Sequence, residues 1–311
     1  MSKGISRREF LNRCYGLGVA VGLVSLLPSI ESLSAGEDAK IDLAVVNGDP
    51  QPAVNKAVEL LGGISSFVRP GDRVLVKPNM SFANPPNWGS TTDPRVVRAV
   101  SLLCLAAGAK KVVIMDHTLR AAEACLKESG IKDAVSDLDK VAVVTANTER
   151  FFTDAEVPDG DALKTVAVVK QLGKSECFIN LPCAKSHAAT GVSFGMKNLM
   201  GLVWDRQYFH ERTDLNKAIA ELAALIKPDL TILDATRALL NGGPGGPGKV
   251  KELSTIVAGT DQVAVDSYGT SLAPWYGQTF TGKQVRHIIE AYNLGLGEID
   301  LEKLRVKRVS V

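Results

Sequence analysis

Short runs of β-branched and apolar residues alternate along this chain with segments in which apolar residues recur at helical spacing. The runs predict strands at 41–46, 73–77, 111–115, 140–145, 176–181, 229–233 and 253–258. Several are apolar throughout, the pattern of strands covered on both faces. Between them the 3.6-residue period predicts helices. One spans 53–67. A second opens with Asp93 as cap and Pro94 at the first helical position, and stops at Gly108. A third is capped by Thr213 or Asp214 and ends at Leu225, ahead of Pro228. Two more are expected at 263–272 and 283–292. Strands alternating with helices predict an α/β fold, a mainly parallel sheet flanked by helices, with a ligand rim at the carboxyl ends of the strands.

The residues that follow five of these strands carry the candidate chemistry. Pro78-Asn79 follows Lys77, Asp116-His117-Thr118 follows Met115, and Lys185-Ser186-His187 comes soon after Leu181. Asp234 follows Leu233, and Gly259-Thr260-Asp261 follows Ala258. Each alone reads equally as a turn or cap residue, but five together predict one functional rim. The densest segment runs from Lys185 to Gly201 and includes His187, Thr190, Gly191, Lys197 and Asn198. It reads as a polar, flexible loop. Lysines supply positive charge, glycines let backbone N–H groups approach an anion, and His187 suits a metal ligand or an acid–base group. A lysine two residues away should keep His187 neutral.

Trp204-Asp205-Arg206 and Tyr208-Phe209-His210 follow, as a lid, a pocket wall or a staple on the next helix. Residues 243–249 fit Gly-x-x-x-x-Gly-Lys, but Val250 stands where a magnesium-holding Ser or Thr belongs, and a strand follows. A flap beside the rim is expected there instead. No Gly-x-Ser-x-Gly and no His-x-x-x-His occurs, which removes the common serine-hydrolase and zinc-helix readings.

Composition narrows the class. Apolar residues at 45% and charged residues at 23% are ordinary for a globular body. The formal net charge of +2 resides in the first 35 residues, where Lys3, Arg7, Arg8 and Arg13 face Glu9 and Glu31. The balanced remainder gives no basic footprint for nucleic acid. Cys104, Cys125, Cys177 and Cys183 form no Cys-x-x-Cys pair, so neither a disulfide framework nor a chain-borne iron–sulfur cluster is expected. Ser6-Arg7-Arg8-Glu9-Phe10-Leu11, an apolar run from Cys14 to Leu27, and small residues at 32–35 read as a twin-arginine signal peptide. The expected organisation is a leader over 1–35 and a single α/β domain over 36–311. The chain is expected in the periplasm or otherwise exported through the twin-arginine machinery. Leu33-Ser34-Ala35 is an imperfect cleavage site, which leaves an uncleaved membrane anchor open.

Val74-Leu75-Val76-Lys77-Pro78-Asn79, Thr91-Thr92-Asp93-Pro94, Ile179-Asn180-Leu181-Pro182, Lys185-Ser186-His187 and Met196-Lys197-Asn198-Leu199-Met200-Gly201 together resemble the domain of unknown function 362 family over nearly all of the mature part. The resemblance implies the architecture rather than a reaction. Relatives often append a ferredoxin-like module, whose cysteine run does not occur in this sequence. At the level of fold alone the chain is also similar to the nickel-cofactor lactate racemases.

Two functions are compatible with these residues. The first is a binding or redox-accessory protein, with a redox protein as partner, that holds an anionic or metal-bearing small molecule. It would use Lys77, Asn79, Thr190, Gly191, Lys197, Asn198 and Gly201. The second is an enzyme with His187, Lys185 and Asp116 as catalytic groups. A divalent metal on His187, His210 and Asp234, or a small anionic cofactor, would serve either.

Overall fold

The computed structural model describes residues 41–311. The expected leader over 1–35 lies outside the described residues. All seven expected strands form. The strands are β1 (Leu43–Asn47), β2 (Arg73–Pro78), β3 (Lys111–Asp116), β4 (Val141–Thr145), β5 (Phe152–Glu156), β6 (Thr165–Val169), β7 (Cys177–Leu181), β8 (Cys183–His187), β9 (Gly191–Ser193), β10 (Leu230–Leu239), β11 (Val250–Gly259) and β12 (Val306–Ser310). The helices are α1 (Pro50–Leu60), α2 (Pro94–Ala106), α3 (Ala122–Ser129), α4 (Ile131–Ala134), α5 (Gly195–Asn198), α6 (Arg206–Glu211), α7 (Leu215–Leu225), α8 (Gln262–Thr270) and α9 (Arg286–Asn293).

Local chemistry explains the boundaries. Asp93 caps α2 through its side chain, which accepts from the Arg95 N–H, with Pro94 in the first turn. Asp214 does the same for α7. Helix α1 stops at Leu60 rather than continuing to 67, because Gly62 and Gly63 adopt φ of +97° and +79°.

The main sheet has ten strands in the order β12-β1-β11-β10-β7-β2-β3-β4, with β8 joined to β10 and β9 to β8. Pairings among β10, β7, β2, β3 and β4 are parallel, as helical crossovers require. Alternate strand residues face opposite layers. Val74, Val76, Ile179 and Ile232 meet Val54, Val58, Val96 and Val100 of α1 and α2. Leu75, Phe178, Leu233 and Val257 meet Ile219 and Leu222 of α7, Val265 of α8 and Ile288 of α9. Each such buried aliphatic side chain contributes about 1.5–3 kcal/mol. The expected mainly parallel sheet flanked by helices is the observed architecture.

Two expectations need correction. β11 runs antiparallel to both β10 and β1. Its last residue Gly259 therefore pairs with Thr231 near the start of β10, and Gly259-Thr260-Asp261 lies at the opposite end of the sheet from the rim. Asp261 there caps α8, accepting from the Ala264 N–H. The physical reason is the connection: residues 240–249 close a hairpin with no helix to carry the chain back. The second correction concerns 185–201. It is a β8–β9 hairpin, buried along β8 and turning at 188–190, followed by α5, rather than a flexible loop. β8 pairs in parallel with the outer half of β10, matching Asp234 to Cys183 and Leu239 to Lys185.

Among the described residues no helix is long and apolar enough to cross a membrane. Cys104, Cys125, Cys177 and Cys183 are all buried, and burial pushes Cys104 up to about 12.

Candidate functional site

Four parallel strands, β2, β3, β7 and β10, end on the same side of the sheet, where a cavity of about 490 Å³ opens. That volume is ordinary for a small-molecule site. Asn79 and Ser81 follow β2, Lys185 and His187 come from β8, Ser193 from β9, Lys197 and Asn198 from α5, and Arg206 and His210 from α6. Phe82, Leu119, Met200 and Pro244 give it an apolar surface. Helix α6 is thus a wall of the cavity. Trp204 turns the other way, stacking on His117 at 5.3 Å. Pro244 belongs to the 243–249 turn, whose Gly243 N–H donates to Ser186 Oγ and whose Gly245 carbonyl accepts from Asn84 Nδ2. It is a hairpin turn packed on the cavity, with no helix following it.

The floor is built around a buried ion pair. Lys77 Nζ donates to Asp116 Oδ1 at 2.8 Å, to the Pro78 carbonyl at 2.7 Å and to Asn198 Oδ1 at 3.2 Å. Asp116 Oδ2 accepts from the Met80 N–H and Ser81 Oγ. Gly201 is necessary over this pair, because a methyl there would overlap Asp116 Oδ1. Burial holds the Lys77 ammonium below its ordinary value, and Asp116 opposes that shift. Lys77 and Asp116 are therefore beneath the cavity rather than in its lining: each turns its polar end onto the other, which holds the ends of β2 and β3 together. Asn198 ties this floor to the wall, donating to Asn180 Oδ1 and accepting from Asn79 Nδ2. Asn79 Oδ1 is buried with no protein partner, an acceptor left for something in the cavity.

Above the floor sit Lys185, Lys197 and Arg206. Lys185 Nζ donates to the Ser90 carbonyl and lies 4.8 Å from the centre of the Phe82 ring. Lys197 Nζ reaches only Met200 Sδ, at 3.0 Å. Arg206 donates to the carbonyls of His117 and Thr118. Among the described residues, none of the three is ion-paired to a carboxylate. Burial and the neighbouring charges of Lys185 and Arg206 push Lys197 down to about 7. His187 is pushed down to about 2 by burial, then by the charges of Lys197, His210 and Lys185. It is neutral, and its Nδ1 accepts from the Ala189 N–H. The His210 ring stacks on it, centroids 6.1 Å apart, and is also held below its ordinary value, by burial and then Lys197.

The structure thus brings Asn79, Lys185, His187, Lys197, Asn198, Gly201 and His210 together around one cavity. It does not bring in Asp234, whose carboxylate accepts from the Asp93 N–H and from Thr236 inside β10. Burial raises Asp234 to about 6, and its lone pairs are taken by the backbone it braces. Among the described residues no three His, Cys, Asp or Glu side chains are placed to hold a metal ion. Thr190 and Gly191 line a separate depression of about 380 Å³ with Asn216, Phe280 and Arg286. Arg206 was not among the expected site residues, although its place in a charged aromatic stretch was visible. Asp266 was missed too. Fully buried on α8, it accepts the Gly195 and Met196 N–H groups and so fixes the start of α5, which carries Lys197 and Asn198.

Residues 74–271 match the family model described as "Domain of unknown function (DUF362)". The chain is similar to "Thylakoid-associated protein sll1697" of Synechocystis sp. (strain ATCC 27184 / PCC 6803 / Kazusa), 33% identical over 218 residues. That similarity spans 67% of this chain and 65% of the relative, so just under two thirds of the cyanobacterial protein is matched. Among solved structures, the lactate racemase apoprotein from Thermoanaerobacterium thermosaccharolyticum superimposes with a TM-score of 0.45 at 11% identity, covering 72% of this chain and 55% of that one. A Thermotoga maritima protein gives a TM-score of 0.40 at 12% identity, covering 66% and 56%.

Proposed function

As the chain belongs to the DUF362 family, whose name specifies no reaction, we propose from the site itself that it holds an anionic small molecule in the cavity at the strand ends. The observation that carries this reading is the set of three buried or half-buried basic side chains, Lys185, Lys197 and Arg206, that line one cavity without a paired carboxylate. Desolvated cations are costly unless compensated, and an incoming phosphate or carboxylate supplies the missing charge. Asn79 Oδ1 and the apolar Phe82, Leu119 and Met200 then orient a ligand body of moderate size. Lys77 belongs to the same reading as a neutralised support rather than a contact.

The test is a thermal-shift series with inorganic phosphate, phosphate monoesters and small carboxylates. Saturation at a hundred times Kd stabilises by about 2.7 kcal/mol. Lys185→Met, close to isosteric, should shrink that gain. No stabilisation by any of these anions would remove the reading.

A second reading, as an enzyme, is favoured by the stacked pair His187 and His210. His210, stacked on His187 beside an anion site, can take up a proton or donate a nitrogen ligand to a divalent cation, and His187 could do so only on giving up its bond from the Ala189 N–H. Metal content of untagged protein tests the ligand role. A metal well below one per chain, unchanged by His187→Ala, counts against it. We also place the protein outside the cytoplasmic membrane, on the strength of the Arg7-Arg8 leader.

A further inference from the structure

Three lysines are buried around this cavity, and their surroundings differ. Lys77 has a carboxylate and two oxygen acceptors, the full setting of an ammonium ion. Lys185 has a carbonyl oxygen and an aromatic face, which also suit a cation. Lys197 has a thioether sulfur, a weak acceptor that a buried ammonium would not be left with. Lys197 nevertheless lines the cavity with Lys185, Arg206, His187 and His210, close enough to Lys185 and Arg206 to feel their charges.

We propose that Lys197 is an amine nucleophile, and that the cavity takes an anion bearing an aldehyde or ketone and joins it to Lys197 Nζ as an imine. The proposal rests on the anion-site reading and names the ligand's second functional group. Lys185 and Arg206 act twice in it. They bind the negative group of the ligand, and their charge disfavours a third cation at Lys197, keeping its lone pair free. Burial acts in the same direction, and the side chain accordingly titrates at about 7. Asp266 is a positioning residue here. Its two oxygens hold the Gly195 and Met196 N–H groups, so α5 presents Lys197 at a fixed place. Gly195 belongs to the same device, since a methyl on it would approach Asp266 Oδ1 to 2.8 Å.

The step balances without an oxidant or reductant. The Nζ lone pair attacks the carbonyl carbon, and the carbonyl π pair becomes a hydroxyl on protonation. Nζ gives up its two protons, the hydroxyl leaves as water, and a C=N bond replaces C=O. The imidazole of His210, which also lines the cavity, accepts the first proton and returns it to the departing hydroxyl.

Pyridoxal 5′-phosphate, a phosphorylated aldehyde, is the probe, and pyridoxine 5′-phosphate, the same molecule with an alcohol, is its control. Full-length protein at pH 7 is mixed with less than one equivalent of the aldehyde, reduced with borohydride and peptide-mapped. About half of Lys197 would be free amine at that pH, against roughly one part in 2,500 for an exposed lysine of ordinary pKa. The expected result is an adduct on Lys197 forming at least ten times faster than on any exposed lysine. Lys197→Arg should abolish it, while pyridoxine 5′-phosphate stabilises the wild type without forming an adduct. Adducts confined to surface lysines, with the alcohol still stabilising the wild type, would overturn the imine and leave the anion site standing. If neither compound stabilises the protein, both fall. The wild-type map decides the matter even if Lys197→Arg does not fold.

Discussion

Replacing Asp116 by Asn tests the floor of the site most directly. The change keeps shape and volume but removes the charge 2.8 Å from Lys77 Nζ, where neither side chain is more than 1% exposed. An asparagine also has one donor end, and both orientations misplace it. Facing Lys77, Nδ2 meets an ammonium; turned over, it meets the Met80 N–H and Ser81 Oγ, donors that Asp116 Oδ2 now satisfies. Breaking a buried pair from one side costs about 3–5 kcal/mol. Part of that loss should be recoverable with pH. Burial already holds Lys77 below its ordinary value, and without Asp116 nothing opposes the shift. Between the lowered folded pKa and the unfolded value of about 10.4, the unfolded chain binds more protons. The free energy of unfolding therefore rises with pH there, by up to about 1.4 kcal/mol per unit. Urea melts of wild type and Asp116→Asn at pH 7 and pH 10 should show the deficit narrowing at the higher pH. A loss below about 1 kcal/mol, the same at both pH values, would show that the pair does not carry this part of the fold.

Other substitutions follow from the same geometry. Gly201→Ala would overlap Asp116 Oδ1 and come within 2.7 Å of Lys77 Nζ, and should cost about 1–3 kcal/mol by denaturant melt, an effect that a wild-type-like midpoint would contradict. His187→Ala removes one hydrogen bond, from the Ala189 N–H, and should cost about 0.5–1.5 kcal/mol while abolishing the anion-induced thermal shift; intact binding with a larger stability loss would take His187 out of the site. In the wild type, the ring protons of His187 should show no titration by NMR between pH 5 and pH 8, since the side chain is pushed down to about 2. Arg7→Lys with Arg8→Lys should hold the protein in the cytoplasmic fraction, and unchanged export would contradict the leader reading.

The parts of the fold that were legible in the sequence are those where hydrophobicity and geometry agree. β2, β3 and β7 are continuous apolar runs because helices cover both faces, and Asp93-Pro94 announces α2 in two residues. β8 was hidden because its buried residues Lys185, Ser186 and His187 are polar, so no apolar run marks it. β12 was hidden for the opposite reason: Lys307 and Arg308 lie on an exposed edge. The direction of β11 could have been read. Asn241–Gly248 is rich in turn residues and too short for a helical return, which is the mark of a hairpin. The site divides along the same line. His187, Lys197 and Asn198 stand out by residue type. That Lys77 and Asp116 satisfy each other, or that Asp234 braces Asp93, depends on distances no single sequence displays. Arg206 and Asp266 act from separate elements, and only the packing of α5 and α6 against the sheet joins them to the cavity.

The position of β1 bears on the order of events during synthesis. The strand lies between β11 and β12, so both of its neighbours are translated more than two hundred residues after it. Until residues 250–310 have left the ribosome, Leu43–Asn47 has no edge to join. Its apolar face must wait in an incomplete chain, where it can pair wrongly or be held by a chaperone. The strand that is made first is seated last. Closure of the sheet around it therefore reports, at the first of the described strands, that the chain through β12 has been made and packed.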